Sequence, residues 1–183
     1  MARLHEYEGK RILKIMKMPV PQGEVAETAQ DARKIAEKIG KPVAIKAQIW
    51  AGGRGKAGGI RFAQDPAEAE TVAAGLLGAE IKGLVVEKVL VEEKLDIDKE
   101  YYLGVIVDAS REVRAPLIMF STEGGMEIEA VPEDKIANMV VDVTRGLRLY
   151  DCYNLCVKLK VPTQRLPAVG QAIMSLFETF KRY

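Results

Sequence analysis

The sequence has only two cysteines, Cys152 and Cys156, and a single histidine, His5. Two thiols four residues apart on an expected helix are not a disulfide framework, and one imidazole beside them leaves a Cys/His zinc centre short of ligands. They read as small, partly buried thiols in a reducing compartment. Neither sign of charge is in excess. Lys and Arg number 27 against 26 Asp and Glu, a net charge of +1, so bulk charge does not argue for nucleic acid or an anionic membrane. No apolar run approaches the ~18 residues that span a bilayer. The opening MARLHEYEGK has no signal-peptide core, and its early acidic residues disfavour a transit peptide. Internal repeats and low-complexity segments are also missing. The expectation is a soluble, cytoplasmic protein in which any anion binding comes from local placement of cations.

What is present suffices for a core. Of 183 residues, 48% are hydrophobic, enough for one domain or for two small lobes sharing a cleft. Apolar positions Leu4, Tyr7, Ile12, Leu13 and Met16 predict a helix over 4–17, ended by Pro19 and Pro21. Thr28 as cap, the stripe Ala32, Ile35, Ala36, Ile39, and Gly40 as stop predict a second helix over 28–39. Pro42 to Ile45 reads as a short buried strand ending at Lys46, and Ile60 to Ala63 as a further extended segment. Pro66 opens a third helix over 66–78. Three β-rich segments follow, 83–92, 100–108 and 113–120, with a hairpin turn over Asp108 to Arg111. The remainder reads as helical over 133–140, 148–160 and 164–181. Mixed helix and strand, then antiparallel strands, then helices predict an α+β fold.

Residues 51–59, AGGRGKAGG, hold five glycines in nine positions and must be a loop. Gly53, Gly55 and Gly58 match the dinucleotide fingerprint formally. That fingerprint needs a helix to open after the loop, whereas Ile60-Arg61-Phe62 alternates like a strand. A Walker A loop fails too, since Ala57 follows Gly55-Lys56 where Ser or Thr is required, and Trp50 stands where the first glycine belongs. A strand–glycine loop–strand unit has another use. It can lie over nucleotide phosphates, with backbone N–H groups and cations facing the anion. Arg54 and Lys56 supply charge on the loop, and Lys46 supplies it from the strand before. The plain alternative is a flexible loop that happens to be basic. Lys46, at the end of an apolar strand, must find an anionic partner or bear a desolvation cost. Further on, residues 89–100 leave one buried strand and enter another. Such a hinge can offer backbone groups to a base edge, and Glu92 and Glu100, which flank it, suit acceptance from ribose hydroxyls. An ordinary charged loop is the alternative there.

Four blocks carry a resemblance: LHEYEGK (Leu4 to Lys10), KAQIWAGGRGKAGG (Lys46 to Gly59), VEEKLDIDKEYYLG (Val91 to Gly104) and STEGGMEIE (Ser121 to Glu129). In this order and at these separations they resemble the β subunit of NDP-forming succinate–CoA ligases, over essentially the whole chain. The resemblance implies an ATP-grasp fold whose two lobes clamp a nucleotide, ATP/ADP or GTP/GDP. It implies lobes of roughly 1–20 plus 100–183, and 21–99. It carries nucleotide contacts onto Lys46, Gly53, Arg54, Gly55, Glu92, Leu95 and Glu100, with the backbone sufficing at Leu95. The block Ser121 to Glu129 marks the family without an assigned chemical step.

The implied reaction joins succinate and CoA at the expense of a nucleoside triphosphate, giving succinyl-CoA, a nucleoside diphosphate and phosphate. A partner α subunit, which binds CoA, would carry the phosphohistidine, while His5 reads as structural. No residue here is expected to be catalytic. The family's Glu-Ile-Asn-Pro motif and a later Asp, which hold Mg²⁺, would lie beyond Tyr183. The expectation is therefore an ATP-grasp domain incomplete at its C-terminus and inactive alone. A malate–CoA or citrate–CoA ligase relative, or a non-catalytic nucleotide-binding or assembly module, are the alternatives.

Overall fold

The computed structural model describes residues 3–108, 114–125 and 128–183, the side chain of Glu129 excepted. The chain divides into two units, one ending at Asp96 and one beginning at Ile97.

In the first unit the order is α1 (Glu6–Ile15), β1 (Gly23–Ala26), α2 (Ala29–Ile39), β2 (Val43–Ala47), β3 (Ile60–Ala63), α3 (Pro66–Ala74), β4 (Glu80–Ile81), β5 (Leu84–Val85) and β6 (Val89–Glu93). The helix signals act as read. The Thr28 hydroxyl accepts from the Asp31 N–H at 3.1 Å, and Gly40 ends α2 in the left-handed region at φ +66°. Asp65 caps α3 by accepting from the Glu68 N–H at 2.8 Å, with Pro66 in its first turn. Alanines 32 and 36 of α2 and 69 and 73 of α3 are all buried, so little side-chain bulk separates these helices.

β1, β6, β2 and β3 form, in that order, a sheet in which every pair is antiparallel. Alternation sorts its residues by face. Val43, Ile45 and Ala47 of β2 and Val89 and Val91 of β6 join the core with α2 and α3. Ala44, Lys46, Leu90 and Glu92 therefore point to the other face. Antiparallel register puts Ala44 opposite Glu92 and Lys46 opposite Leu90, which makes Lys46 and Glu92 diagonal neighbours.

The second unit contains β7 (Tyr102–Asp108), β8 (Ala115–Ser121), β9 (Ile136–Val140), α4 (Leu149–Lys158) and α5 (Leu166–Arg182), with single 3₁₀ turns at Ile128–Ala130, Glu133–Lys135 and Thr163–Arg165. The strands lie in chain order in an antiparallel sheet. Ile118, Phe120 and Ala137 from the sheet and Cys152, Leu155, Cys156, Ile173 and Phe177 from the helices form its core. Burial pushes the Cys152 thiol up to about 12 and Cys156 up to about 11, so both are neutral thiols at ordinary pH. At the α4–α5 crossing Gly170 is buried beneath the Tyr153 ring, where a Cβ would come within 2.5 Å of a ring carbon. Gly170→Ala is expected to destabilise this unit by about 1–3 kcal/mol through overpacking, read as a lowered urea midpoint.

Several expectations change. Residues 133–140 are not a helix. The turn stops at Lys135, and Ile136–Val140 pairs with β8. Asn138 and Val140 are poor helix formers, and a free edge of β8 decides the matter. The segment 83–92 is two strands, β5 and β6, rather than one. Of the expected hairpin turn over 108–111, residues 109–111 lie outside those described. The expected lobes placed residues 1–20 with 100–183, but α1 belongs to the unit ending at Asp96. The ion pairs described next explain why.

Candidate functional site

Glu92 is the most buried charge among the described residues, its side chain only 4% exposed. An isolated carboxylate there would be strongly disfavoured. Each of its oxygens has its own cation: Oε1 pairs with Lys46 Nζ and Oε2 with Lys10 Nζ. A second carboxylate, Glu6, lies across the same group. Its Oε1 meets Lys10 at 2.9 Å and Lys46 at 3.3 Å, and its Oε2 pairs with the Arg54 guanidinium. Three cations thus share two carboxylates, and the group carries one net positive charge. Burial lowers the proton affinity of Lys10 most, opposed by its bond to Glu92 and reinforced by the Lys46 charge. Burial likewise lowers that of Arg54, against the attraction of Glu92. Arg54 Nε is buried without a partner among the described residues.

Lys46 therefore resolves its desolvation through two carboxylates, one adjacent on β6 and one delivered by α1. The helix is bound mainly through polar contacts, since none of its residues is buried. The buried Gln48 accepts from the Tyr7 N–H at 3.3 Å and donates to the Lys46 carbonyl at 2.9 Å. The His5 ring stacks between Tyr7 and Trp50, with centroids at 5.8 and 4.8 Å. His5 is thus a packing residue of the helix start, and the Glu8 carboxylate accepts from its backbone N–H at 2.7 Å.

The glycine loop joins β2 to β3, two antiparallel strands, so no helix opens after it as a dinucleotide fingerprint needs. It is folded on itself. The Arg54 carbonyl accepts from Ala57 N–H at 3.2 Å and Gly59 N–H at 2.8 Å, and Gly59 C=O accepts from Ala47 N–H at 2.8 Å. Gly53 and Gly58 have φ of +64° and +78°, which only glycine adopts without strain. Gly53 is exposed, and Arg54 between its neighbours turns inward to Glu6.

Lys46, Arg54 and Glu92 are consequently brought together, with Gly53 and Gly55 flanking Arg54. Leu95 is not part of this group. It stands 51% exposed beyond the end of β6. Glu100 lies in the second unit, exposed, just before β7. Sequence reasoning missed Glu6, Lys10 and Gln48. Glu6 and Lys10 had a signal, an i,i+4 pair of opposite charge on a predicted helix, but nothing local says which surface that pair meets.

Between α1 and the β1–β6 edge runs a cavity of about 860 Å³, lined by Tyr7, Lys10, Gly23, Val25, Leu90 and Glu92 among others. Its size suits a small-molecule ligand. Among the described residues no group of three or more His, Cys, Asp or Glu could hold a metal ion, and no helix is long and apolar enough to cross a membrane. The carboxylates that do converge, Glu6 and Glu92, are held by lysine and arginine, a poor donor set for a divalent cation. Chemically the site offers an excess of cations, a loop with backbone N–H groups and no nucleophile, so it is fitted to hold an anion.

The chain is 46% identical over 162 residues to the ADP-forming succinate–CoA ligase β subunit of Herpetosiphon aurantiacus, covering 87% of this chain and 42% of that protein. It is 42% identical over 181 residues to the GDP-forming β subunit of Thermus thermophilus, covering 97% of this chain and 47% of that one. The chain thus spans about half the length of these relatives. Among solved structures, PH1788 of Pyrococcus horikoshii superposes with a TM-score of 0.74 at 22% identity, covering 98% of this chain and 77% of that one. The ATP citrate lyase of Methanothrix soehngenii superposes with a TM-score of 0.73 at 19% identity, over 97% and 43%. Both likenesses concern the fold. The ATP-grasp domain model matches residues 3–183. The chain belongs to the ATP-grasp family.

Proposed function

We propose that this chain is the nucleotide-binding part of an acid–CoA ligase β subunit, acting on ATP or GTP with succinate and CoA. The observation that carries the reading is the convergence of Lys46, Arg54 and Glu92 on one sheet face beside a strand–glycine loop–strand unit. In a chain 46% identical to a succinate–CoA ligase β subunit, that convergence favours a nucleotide over other anions.

Lys46 and Arg54 supply positive charge to the phosphates, and the loop around Gly53 and Gly55 supplies N–H donors. Glu92 stands at the hinge position near the base and holds Lys46 in place, and Glu100 accepts from the sugar hydroxyls. Leu95 offers its backbone. Glu6 pairs with the same cations that a phosphate would take, so the nucleotide competes with that carboxylate for them. The phosphoryl group then passes to a histidine on a CoA-binding α subunit of a cytoplasmic complex, and Mg²⁺, held by residues other than these, would neutralise phosphate charge in the full-length protein.

Trp50, the only tryptophan, sits at the start of the loop and stacks on His5. Titrating ATP and GTP should change its fluorescence saturably, NAD should leave it unchanged, and Lys46→Ala should weaken the response. An equal response to NAD, or one indifferent to Lys46, contradicts the reading.

A further inference from the structure

The block Ser121 to Glu129 contains adjacent glycines whose place in the fold gives them a task. Register pairs Ser121, the last residue of β8, with Tyr102, the first of β7. The chain leaving β8 therefore runs back past Glu100 and Tyr101. The turn begins with the buried Ser121 hydroxyl accepting from the Glu123 N–H at 3.0 Å. Gly124 then lies against the backbone before β7, its N–H donating to the Glu100 carbonyl at 3.3 Å. A Cβ on Gly124 would stand 2.7 Å from the Glu100 carbonyl carbon and 2.8 Å from the Tyr101 nitrogen. Both atoms are backbone, so no side-chain rotation relieves that contact. Gly125 differs. Its φ is +73°, and a Cβ there would overlap Oε2 of Glu100 while clearing the rest of the chain. The first glycine thus fixes how near the backbone comes, and the second leaves room for the carboxylate itself.

We propose that Gly124 and Gly125 are positioning residues that set where the Glu100 carboxylate is presented to the sugar hydroxyls of the nucleotide. The proposal rests on the nucleotide-binding reading and deepens it. It gives the glycine pair a role through Glu100 rather than through a contact of its own with ligand. A side chain at 125 displaces the flexible end of Glu100, so its effect falls on ligand recognition more than on folding.

The test compares affinities for ATP and 2′,3′-dideoxy-ATP by calorimetry on the full chain. A hydrogen bond to a charged group at the sugar should make the unaltered chain favour ATP about tenfold. Glu100→Ala should bring the ratio close to one. Gly125→Ala should lower it comparably, and Glu100→Ala with Gly125→Ala should lower it no further than Glu100→Ala alone, because both changes act through one carboxylate. Gly125→Asn separates the two possible causes. Asparagine tolerates the left-handed backbone but still carries a Cβ, so it should recover stability and not the ratio.

A ratio restored by asparagine, or lowered by Glu100→Ala and untouched by Gly125→Ala, overturns the positioning role alone. A ratio unaffected by Glu100→Ala, or no ATP binding by the unaltered chain, overturns the proposal through the nucleotide reading beneath it.

Discussion

Replacing Lys46 with alanine is expected to weaken binding of ATP or GTP by about 10- to 100-fold while leaving the chain folded. The magnitude follows from losing a charged donor to phosphate, about 1.5–3 kcal/mol. The folding expectation follows from how the ion pairs are shared. Without Lys46, Glu92 keeps Lys10 on its other oxygen, and Glu6 keeps both Lys10 and Arg54. No buried carboxylate is stranded, which is the circumstance that makes breaking a buried pair so costly. The group does lose its net positive charge, since two cations then face two carboxylates. Calorimetry with the triphosphate, beside a thermal melt of the same sample, checks both halves. Unchanged affinity would remove Lys46 from the phosphate site. Lost affinity together with a collapsed melt would make its role structural.

The second large effect is on stability. Phe120 is fully buried near the end of β8, paired in register with Leu103 and Ala137 and stacked on Tyr101 with ring centroids at 5.8 Å. Phe120→Ala should destabilise the second unit by about 3–5 kcal/mol, from lost transfer energy and an unfilled cavity. A domain of this size has about 5–15 kcal/mol in hand, so much of its margin would go. Val143, 71% exposed in the same unit, gives the contrast. Val143→Ala should change stability by no more than about 0.5 kcal/mol. Urea titration of both variants decides the point, and similar midpoints would mean that this core does not hold the unit together.

Local chemistry made part of this molecule readable in advance. Thr28, Gly40, Asp65 and Pro66 are end signals whose physics lies within one helical turn, and α2 and α3 form where those signals place them. The strand–loop–strand reading of 43–63 rested on Ile60 to Phe62 alternating directly after the glycines, and β2 and β3 pair accordingly. Lys46 could be named because a lysine ending an apolar strand demands an anionic partner, whereas the family resemblance singled out Arg54 over Lys56 on the same loop.

The failures are tertiary. β1 is four residues, Gly23 to Ala26, with a mostly exposed pattern, and only pairing to β6 makes it a strand. β9 reads as helix until β8 offers it an edge. Above all, no local rule says that α1 lies on the face carrying Lys46 and Glu92. That placement depends on charges some 40 to 80 positions apart in sequence meeting in space. The Ser121 to Glu129 block marked the family but carried no assigned role for a related reason. A glycine's reason for being glycine is often the backbone of a distant residue, here Glu100.

The central claim is that a nucleotide is held by the glycine loop and by the face of the sheet that carries Lys46 and Glu92. Amide hydrogen exchange of the full chain with and without ATP tests it most directly. The account predicts slowed exchange in residues 51–59 and 89–95 on adding ATP, and little of that protection in the Lys46→Ala variant. Protection confined to other segments, or none at saturating ATP, would contradict it.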